Sequence, residues 1–202
     1  MSSPLLSLRG VGCRREGRTL FRNLDLTVAA GECVSLTGPN GSGKTTLLRC
    51  VNGLYPDYEG TIEAADLAYL GHRPGVSLPL SPLENLRWYA NLAPAAEEVP
   101  GTAALVTLLE RVGLAGFEDL PCQRLSAGQQ RRVGLARLML DGSPLWLLDE
   151  PFTALDAQGQ ALVRALLVEH ARGGGAALCA THQDLEVPGG TEVRLGPGGR
   201  GG

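Results

Sequence analysis

The chain predicts an α/β fold with an antiparallel β opening and an inserted helical lobe, and three observations predict it. Short apolar runs bounded by Gly, Pro or Asp alternate with helix-length patterns, as strands and helices taken in turn do. The glycine-rich segment Gly38-Pro39-Asn40-Gly41-Ser42-Gly43-Lys44-Thr45 follows directly on the predicted strand Cys33–Thr37. Strand, glycine loop and helix in that order make a cradle for phosphate. From about Gly75 to Leu140, by contrast, only helical patterns are legible.

Taken in order, Leu5–Leu8, Thr19–Phe21 and Leu24–Val28 read as strands of an opening antiparallel meander, and Cys33–Thr37 as the strand that runs into the loop. A helix from Lys44 to about Asn52 stops at Gly53, a suitable C-terminal residue. Thr61–Glu63 and Leu67–Leu70 return as strands. Pro82–Leu92 and Thr102–Val112 read as helices, separated by a Pro/Ala/Glu linker around Pro94–Pro100, and a third helix spans Ala127–Leu140. Leu145–Leu148 is continuously apolar, as a strand covered on both faces is. Ala157–Ala171 is a helix closed by Gly173-Gly174-Gly175, Ala176–Ala180 a strand, and Thr191–Leu195 a short last one. The expected organisation is a single domain over 1–202. It has an α/β core at 1–74 and 141–195, a helical subdomain at 75–140, and a Gly-rich, disordered tail at 196–202.

Composition narrows the function. A formal net charge of −3 supplies no global basic field for nucleic acid or anionic lipid. No apolar stretch approaches membrane-spanning length. Met1-Ser2-Ser3-Pro4 has neither the basic nor the apolar region of a secretion signal. Cys13, Cys33, Cys50, Cys122 and Cys179 are scattered without a C-x-x-C pair, which points to reduced thiols rather than zinc ligands or a disulfide framework.

Of 18 Lys and Arg residues only Lys44 is lysine. Inside a phosphate loop a compact ammonium on a thin stem fits where a planar guanidinium is too wide. Thr46 extends the loop into its helix. The strand Leu145–Leu148 ends in Asp149-Glu150, and the carboxyl end of a buried parallel strand is the ligand-binding edge of such a sheet. Asp149 can hold Mg²⁺ through water beside the Thr45 hydroxyl, leaving Glu150 to polarise the attacking water. Leu125-Ser126-Ala127-Gly128-Gln129 precedes a helix; Ser126 suits an N-cap and equally an anion contact.

Phosphate loop, L-S-x-G-Q, four apolar residues with Asp149-Glu150, Ala154-Leu155-Asp156, then Thr181-His182: this order resembles the ATP-binding cassette (ABC) ATPase family along nearly the whole chain. The resemblance implies a P-loop NTPase core of ABC type, with an antiparallel β subdomain and an inserted helical subdomain, and ATP and Mg²⁺ as ligands. It implies a homodimer in which Ser126, Gly128 and Gln129 of one copy complete the ATP site at the other copy's Lys44. Asp156 would then lie at the seam and His182 at the γ-phosphate. Leu70–Gly75, LSAGQQRR at Leu125–Arg132, WLLDEPFTALD at Trp146–Asp156 and Thr181-His182-Gln183 are most similar to the ATP-binding subunits of cytochrome c maturation haem exporters. That likeness implies a bacterial peripheral protein on the cytoplasmic face of the inner membrane. Separate integral-membrane subunits would be its partners, with no nucleic acid and no direct haem binding. An ATPase with another cargo, or a soluble cassette of iron–sulfur assembly type, is the alternative.

Two positions depart from the family. His72 stands where most cassettes carry a glutamine, either as a titratable group near the reacting water or as a substitute hydrogen-bonding group. Where an aromatic side chain usually stacks on adenine the chain reads Cys13-Arg14-Arg15-Glu16. Arg15 could stack by its guanidinium plane or belong to a solvated turn, and GTP stays open as a substrate. The stretch His72–Glu84 is the expected docking groove for a membrane subunit.

Overall fold

The structure, a computed structural model, describes residues 3–92 and 100–196; the linker up to residue 99 and the tail from residue 197 lie outside the described residues. In chain order the strands are β1 (Leu6–Arg15), β2 (Arg18–Val28), β3 (Cys33–Thr37), β4 (Glu59–Ala64), β5 (Leu67–Leu70), β6 (Leu145–Asp149), β7 (Ala176–Ala180) and β8 (Thr191–Arg194). The helices are α1 (Lys44–Val51), α2 (Pro82–Leu92), α3 (Thr102–Arg111), α4 (Ala127–Asp141) and α5 (Ala157–Arg172). The chain forms two compact units. One is Met1–Tyr69, Ser143–Pro151 and Arg164–Gly202; the other is Leu70–Gly142 and Phe152–Val163. The second unit therefore takes in a stretch after β6 that the expected 75–140 boundary leaves in the core.

The first unit holds an antiparallel sheet of order β2-β1-β4 and a five-stranded sheet of order β5-β6-β7-β3-β8, in which β6, β7, β3 and β8 are parallel. All five residues of β6 and of β7 are buried, as parallel strands covered on both faces require. The core runs from Leu6, Phe21 and Leu24 through Leu36 and Leu47 to Leu147 and Leu178.

The opening is two long strands rather than three short ones. β1 continues to Arg15 and β2 is unbroken from Arg18, the two joined by the turn Glu16-Gly17 at φ 51° and 76°. The register slips between Leu8 and Val11 and again before Cys13. Each slip shifts the buried residues out of simple alternation, so the sequence pattern fades where the strand goes on.

The second unit packs α2, α3 and α4 against one another. Among the described residues of 71–142 there is no strand, but there is a 3₁₀ turn at Cys122–Arg124 that the sequence did not reveal. Asn85, fully buried, holds the loop ahead of α2. Its carbonyl oxygen accepts from Ser77 N at 2.8 Å, and its amide donates to Ser77 O at 3.0 Å and Ser81 O at 2.9 Å. All five cysteines are buried free thiols, and burial pushes Cys33 up to about 11 and Cys50 up to about 12. No helix of the described residues is long and apolar enough to cross a membrane.

Trp146 of β6 stacks on His170 of α5, ring centroids 3.9 Å apart and planes 9° from parallel. The His170 Nε2 lies 3.1 Å from Pro144 O, an acceptor that fixes this nitrogen as the donor. Burial holds the His170 pKa below its ordinary 6.5, although its hydrogen bonds act the other way. A folded-state pKa lowered in this way means the unfolded chain takes up the proton first. The contribution is complete above the ordinary value and is lost as pH falls through the folded one. Thermal melts at about pH 7.5 and about pH 5.5 should therefore show a drop that His170→Gln makes smaller; equal drops in both chains would refute it.

Candidate functional site

The loop after β3 is shaped by what cannot fit. Gly43, the residue ahead of α1, has φ 102°, and a Cβ there would stand 2.9 Å from the Phe21 ring and 3.0 Å from Leu20 Cβ. Only glycine serves, and the strand β2 thereby lies directly against the loop. The first N–H groups of a helix such as α1 have no intrahelical partner, and orphan donors and the helix dipole together favour an anion there. Ser42 Oγ is buried with no hydrogen-bond partner among the described residues. A buried hydroxyl left so costs about 1–3 kcal/mol, which a ligand oxygen accepting from it would offset. Lys44 is buried apart from 8% of its surface, and its Nζ donates to Gly38 O at 2.8 Å and Pro39 O at 3.4 Å.

Helix α1 and the parallel strands β6 and β7 deliver the remaining groups. From α1, Thr45 Oγ1 donates to Asp149 Oδ1 at 3.0 Å, and Asp149, at the end of β6, is 2% exposed. Glu150 follows at φ 52°, its N–H donating to Ala180 O at the end of β7 at 2.8 Å. A left-handed glutamate immediately before Pro151 is strained by about 1–3 kcal/mol, and that strain aims the carboxylate away from the strand direction. Thr181, 1% exposed, bonds through its N–H to Leu36 O at 3.1 Å and accepts from Gln183 N at 3.0 Å, which fixes the backbone on both sides of His182. His182 Nε2 lies 3.3 Å from Lys44 Nζ and 3.4 Å from Glu150 Oε1. One ring nitrogen can accept from the lysine or donate to the glutamate, not both at once, so the tautomer or a proton decides which neighbour His182 serves.

A cleft of about 510 Å³ runs along these groups. It is lined by Lys44, Thr45, Thr46, Glu150 and His182, by Asn40 and Gly41 of the loop, and by Arg15, Arg18 and Leu20 of the β1–β2 hairpin. Of the site residues read from sequence, the first unit thus gathers the loop, Asp149, Glu150, His182 and Arg15.

His72, Ser126, Gly128, Gln129 and Asp156 belong to the second unit. Ser126 and Gln129 form a complete capping box at the start of α4, Gln129 N to Ser126 Oγ at 3.2 Å and Ser126 N to Gln129 Oε1 at 2.9 Å. A serine hydroxyl that accepts one bond still has its proton to donate, and Ser126 is exposed. Cap and anion contact are compatible. A Cβ on Gly128 would meet Ala154 O at 2.7 Å, and Ala154 is itself left-handed at φ 65°. Asp156 accepts from Gly159 N at 2.8 Å at the start of α5 and pairs with Arg132 at 3.3 Å.

Arg131 was not singled out by the motifs, yet it is 3% exposed and donates from Nη1 to Gly71 O at 2.6 Å and His72 O at 3.3 Å. The helix that begins at Ser126 therefore holds the backbone at His72, whose own side chain is exposed. The doubled arginine after Gln129-Gln130 was the available signal.

The family model described as ABC transporter matches residues 21–153, and the chain belongs to this family of ATP-binding cassette ATPases. Solved structures share its fold. A dimeric ATP-binding cassette in a post-hydrolysis state with ADP and Pi superposes with TM-score 0.79 at 23% identity, over 94% of each chain. A metal-chelate type ABC transporter in an inward-facing conformation gives 0.79 at 24%, over 96% of this chain and 80% of that one. Among sequence relatives, the cytochrome c biogenesis ATP-binding export protein CcmA of Hahella chejuensis is 46% identical over 206 residues, 95% of this chain and 94% of its own. Its counterpart in Pseudomonas savastanoi pv. phaseolicola is 47% identical over 195 residues, 90% of each.

Gly128→Ala tests the fit between α4 and Ala154. The overlap with a backbone carbonyl should cost about 1–3 kcal/mol of stability, seen as an earlier urea midpoint. An unchanged midpoint would show that the second unit absorbs the methyl.

Proposed function

We propose that this chain is the ATP-hydrolysing subunit of a bacterial membrane complex for cytochrome c biogenesis, coupling hydrolysis to haem export or to release of a haem-loaded chaperone. Likeness to the CcmA export proteins over 95% of the chain is the observation that carries this reading. The chain would work as a homodimer on the cytoplasmic face of the inner membrane, held there by separate integral-membrane subunits that handle the haem.

In this reading Gly38–Thr46 wraps the triphosphate and Lys44 exchanges its carbonyl partners for phosphate oxygens. The Thr45 hydroxyl and the Asp149 carboxylate, in contact at 3.0 Å, form a hard oxygen pair of the kind Mg²⁺ selects. Mg²⁺ bound there would neutralise charge on the β- and γ-phosphates. Glu150 orients and polarises water, and His182 holds the γ-phosphate end between Lys44 and Glu150. The Ser126 proton and the first N–H groups of α4 face outward to meet the phosphate of a second copy, with Gly128, Gln129 and Asp156 beside them at the seam. His72 transmits the state of the site to the docking loop, whose backbone Arg131 holds.

Leu78 and, one helical turn apart on α2, Trp88 and Leu92 are exposed apolar residues that suit a membrane subunit's docking segment. Within this groove Glu84 is a poor probe. Its carboxylate accepts from Ser81 N at 2.8 Å while Ser81 Oγ accepts from Glu84 N at 3.2 Å, so reversing its charge uncaps α2. Arg73, exposed, tests docking without that defect.

Glu150→Gln should keep ATP binding, lower turnover by about 10²–10⁴-fold and accumulate a dimer with ATP on size exclusion; ordinary turnover would reject Glu150 as the water's partner. In a host lacking its own ATP-binding subunit for cytochrome c biogenesis, the chain should restore covalent haem staining of c-type cytochromes and Lys44→Ala should not. Restoration by neither would reject the cargo, and restoration by both would reject coupling to ATP.

A further inference from the structure

Lys44 is the one lysine of the chain, so its primary amines are two: the Lys44 Nζ and the N-terminal α-amine. Every other long cation is a guanidinium, which stays protonated and does not act as a nucleophile. All five cysteines are buried, and burial pushes Cys33 up to about 11 and Cys50 up to about 12, which withholds their thiolates. Lys44 stands apart from both groups. It is 8% exposed, yet it lines the 510 Å³ cleft, so its amine is reached through the cleft. Around that amine stand the parts of an acyl transfer. Nζ is held by Gly38 O at 2.8 Å and Pro39 O at 3.4 Å, and His182 Nε2 lies 3.3 Å away, within reach of a proton leaving the nitrogen. Ser42, 4% exposed, has a hydroxyl with no partner among the described residues, a donor left for a ligand oxygen. Donors that hold phosphate in such a loop also stabilise the charge that develops on phosphate as it leaves.

We propose that Lys44 is a modification site: a small acyl phosphate, seated by its phosphate in the glycine loop, acylates Nζ and switches the chain off. This rests on the phosphate-binding reading of the loop given above. The amine attacks the acyl carbon, a C–N bond forms and the C–O bond to phosphate breaks, with nothing oxidised or reduced. Of the three protons on the ammonium, one stays on the new amide. The other two pass by way of His182 to the departing phosphate, which leaves as H₂PO₄⁻. The amide carries no charge, and its acyl group stands where the β- and γ-phosphates of ATP would lie. ATP in the cleft covers the same amine. The fuel therefore protects the site, and an acyl phosphate closes it when ATP is short.

The test treats the purified full chain with acetyl phosphate and follows acetylation of each amine by mass spectrometry. Lys44 should gain its acetyl group at least about tenfold faster than the α-amine, because the loop holds the donor beside it. N-acetoxysuccinimide, an acetyl donor without phosphate, should reverse that order, since an α-amine titrates at about 8 and has free base at neutral pH. ADP and inorganic phosphate should each suppress labelling of Lys44 and spare that of the α-amine. Acetyl phosphate that favours the α-amine, or labelling of Lys44 indifferent to ADP and phosphate, would overturn the site. His182→Ala should slow acetylation of Lys44 at least about tenfold with the α-amine unchanged; an unaltered rate would remove His182 from the step. ATP turnover should fall in proportion to the fraction acetylated at Lys44, and full turnover by the acetylated chain would overturn the switch. A chain that acetylates at Lys44 yet hydrolyses no ATP counts against the ATPase reading while supporting the site. Hydrolysis of ATP without acetylation does the reverse, so the two fail separately.

Discussion

The hydrogen-bonded row across β6, β7 and β3 sets where Asp149, Glu150, His182 and the glycine loop stand. Asp149 pairs with Ala180, and Ala180 with Leu36, in the last row of β6 and β7 and one residue before β3 ends. Beyond that row the chain turns three times, into Glu150, into His182 and into the phosphate loop. A slip of one residue in any of these strands would turn its side chains to the opposite face. It would break the Thr45–Asp149 contact and take His182 away from Lys44. Complete burial of β6 and β7 makes such a slip expensive, because no residue in either strand is polar enough to face water except Asp149.

Glycine and left-handed backbone do the rest of the positioning. Gly43 lets β2 lie against the loop, and Gly128 lets α4 lie against Ala154 O. Glu150 and Ala154 bear strain in the short stretch between β6 and α5. Within the second unit, polar staples rather than apolar side chains fix the loop between β5 and α2. Asn85 grips residues 77–81 and Arg131 grips Gly71 and His72. Tyr89 donates to Gly75 O and takes a hydrogen bond from Arg137 at 2.9 Å. Staples of this kind hold a loop's path while leaving its outer face available to a partner.

Much of this was legible in the residues. Ala176–Ala180 coincides with its strand because an unbroken apolar run between turn residues admits little else, and Cys33–Thr37 because its short β-branched stretch runs straight into the glycine loop. The phosphate loop was legible because its glycines and its lone lysine have a local cause. The far half of β1 was hidden by register slips around Gly10 and Gly12, and the turn at Cys122–Arg124 is too short to show a period. Asn85 gave no pattern to find it by, and for Arg131 the doubled arginine marked the place without revealing its partners. Each is a buried polar side chain whose meaning lies in carbonyls some way off along the chain, at residues 77–81 and 71–72, and only the fold brings donor and acceptor together.

The stack of Trp146 on His170 also gives the molecule a built-in optical signal. The chain has two indoles in opposite settings: Trp146 is buried against an imidazole, whereas Trp88 is about half exposed on α2. A water-soluble collisional quencher reaches Trp88 and is shut out from Trp146. Emission from the two rings therefore separates without any label, one band reporting on the surface of α2 and the other on the packing of α5 against β6.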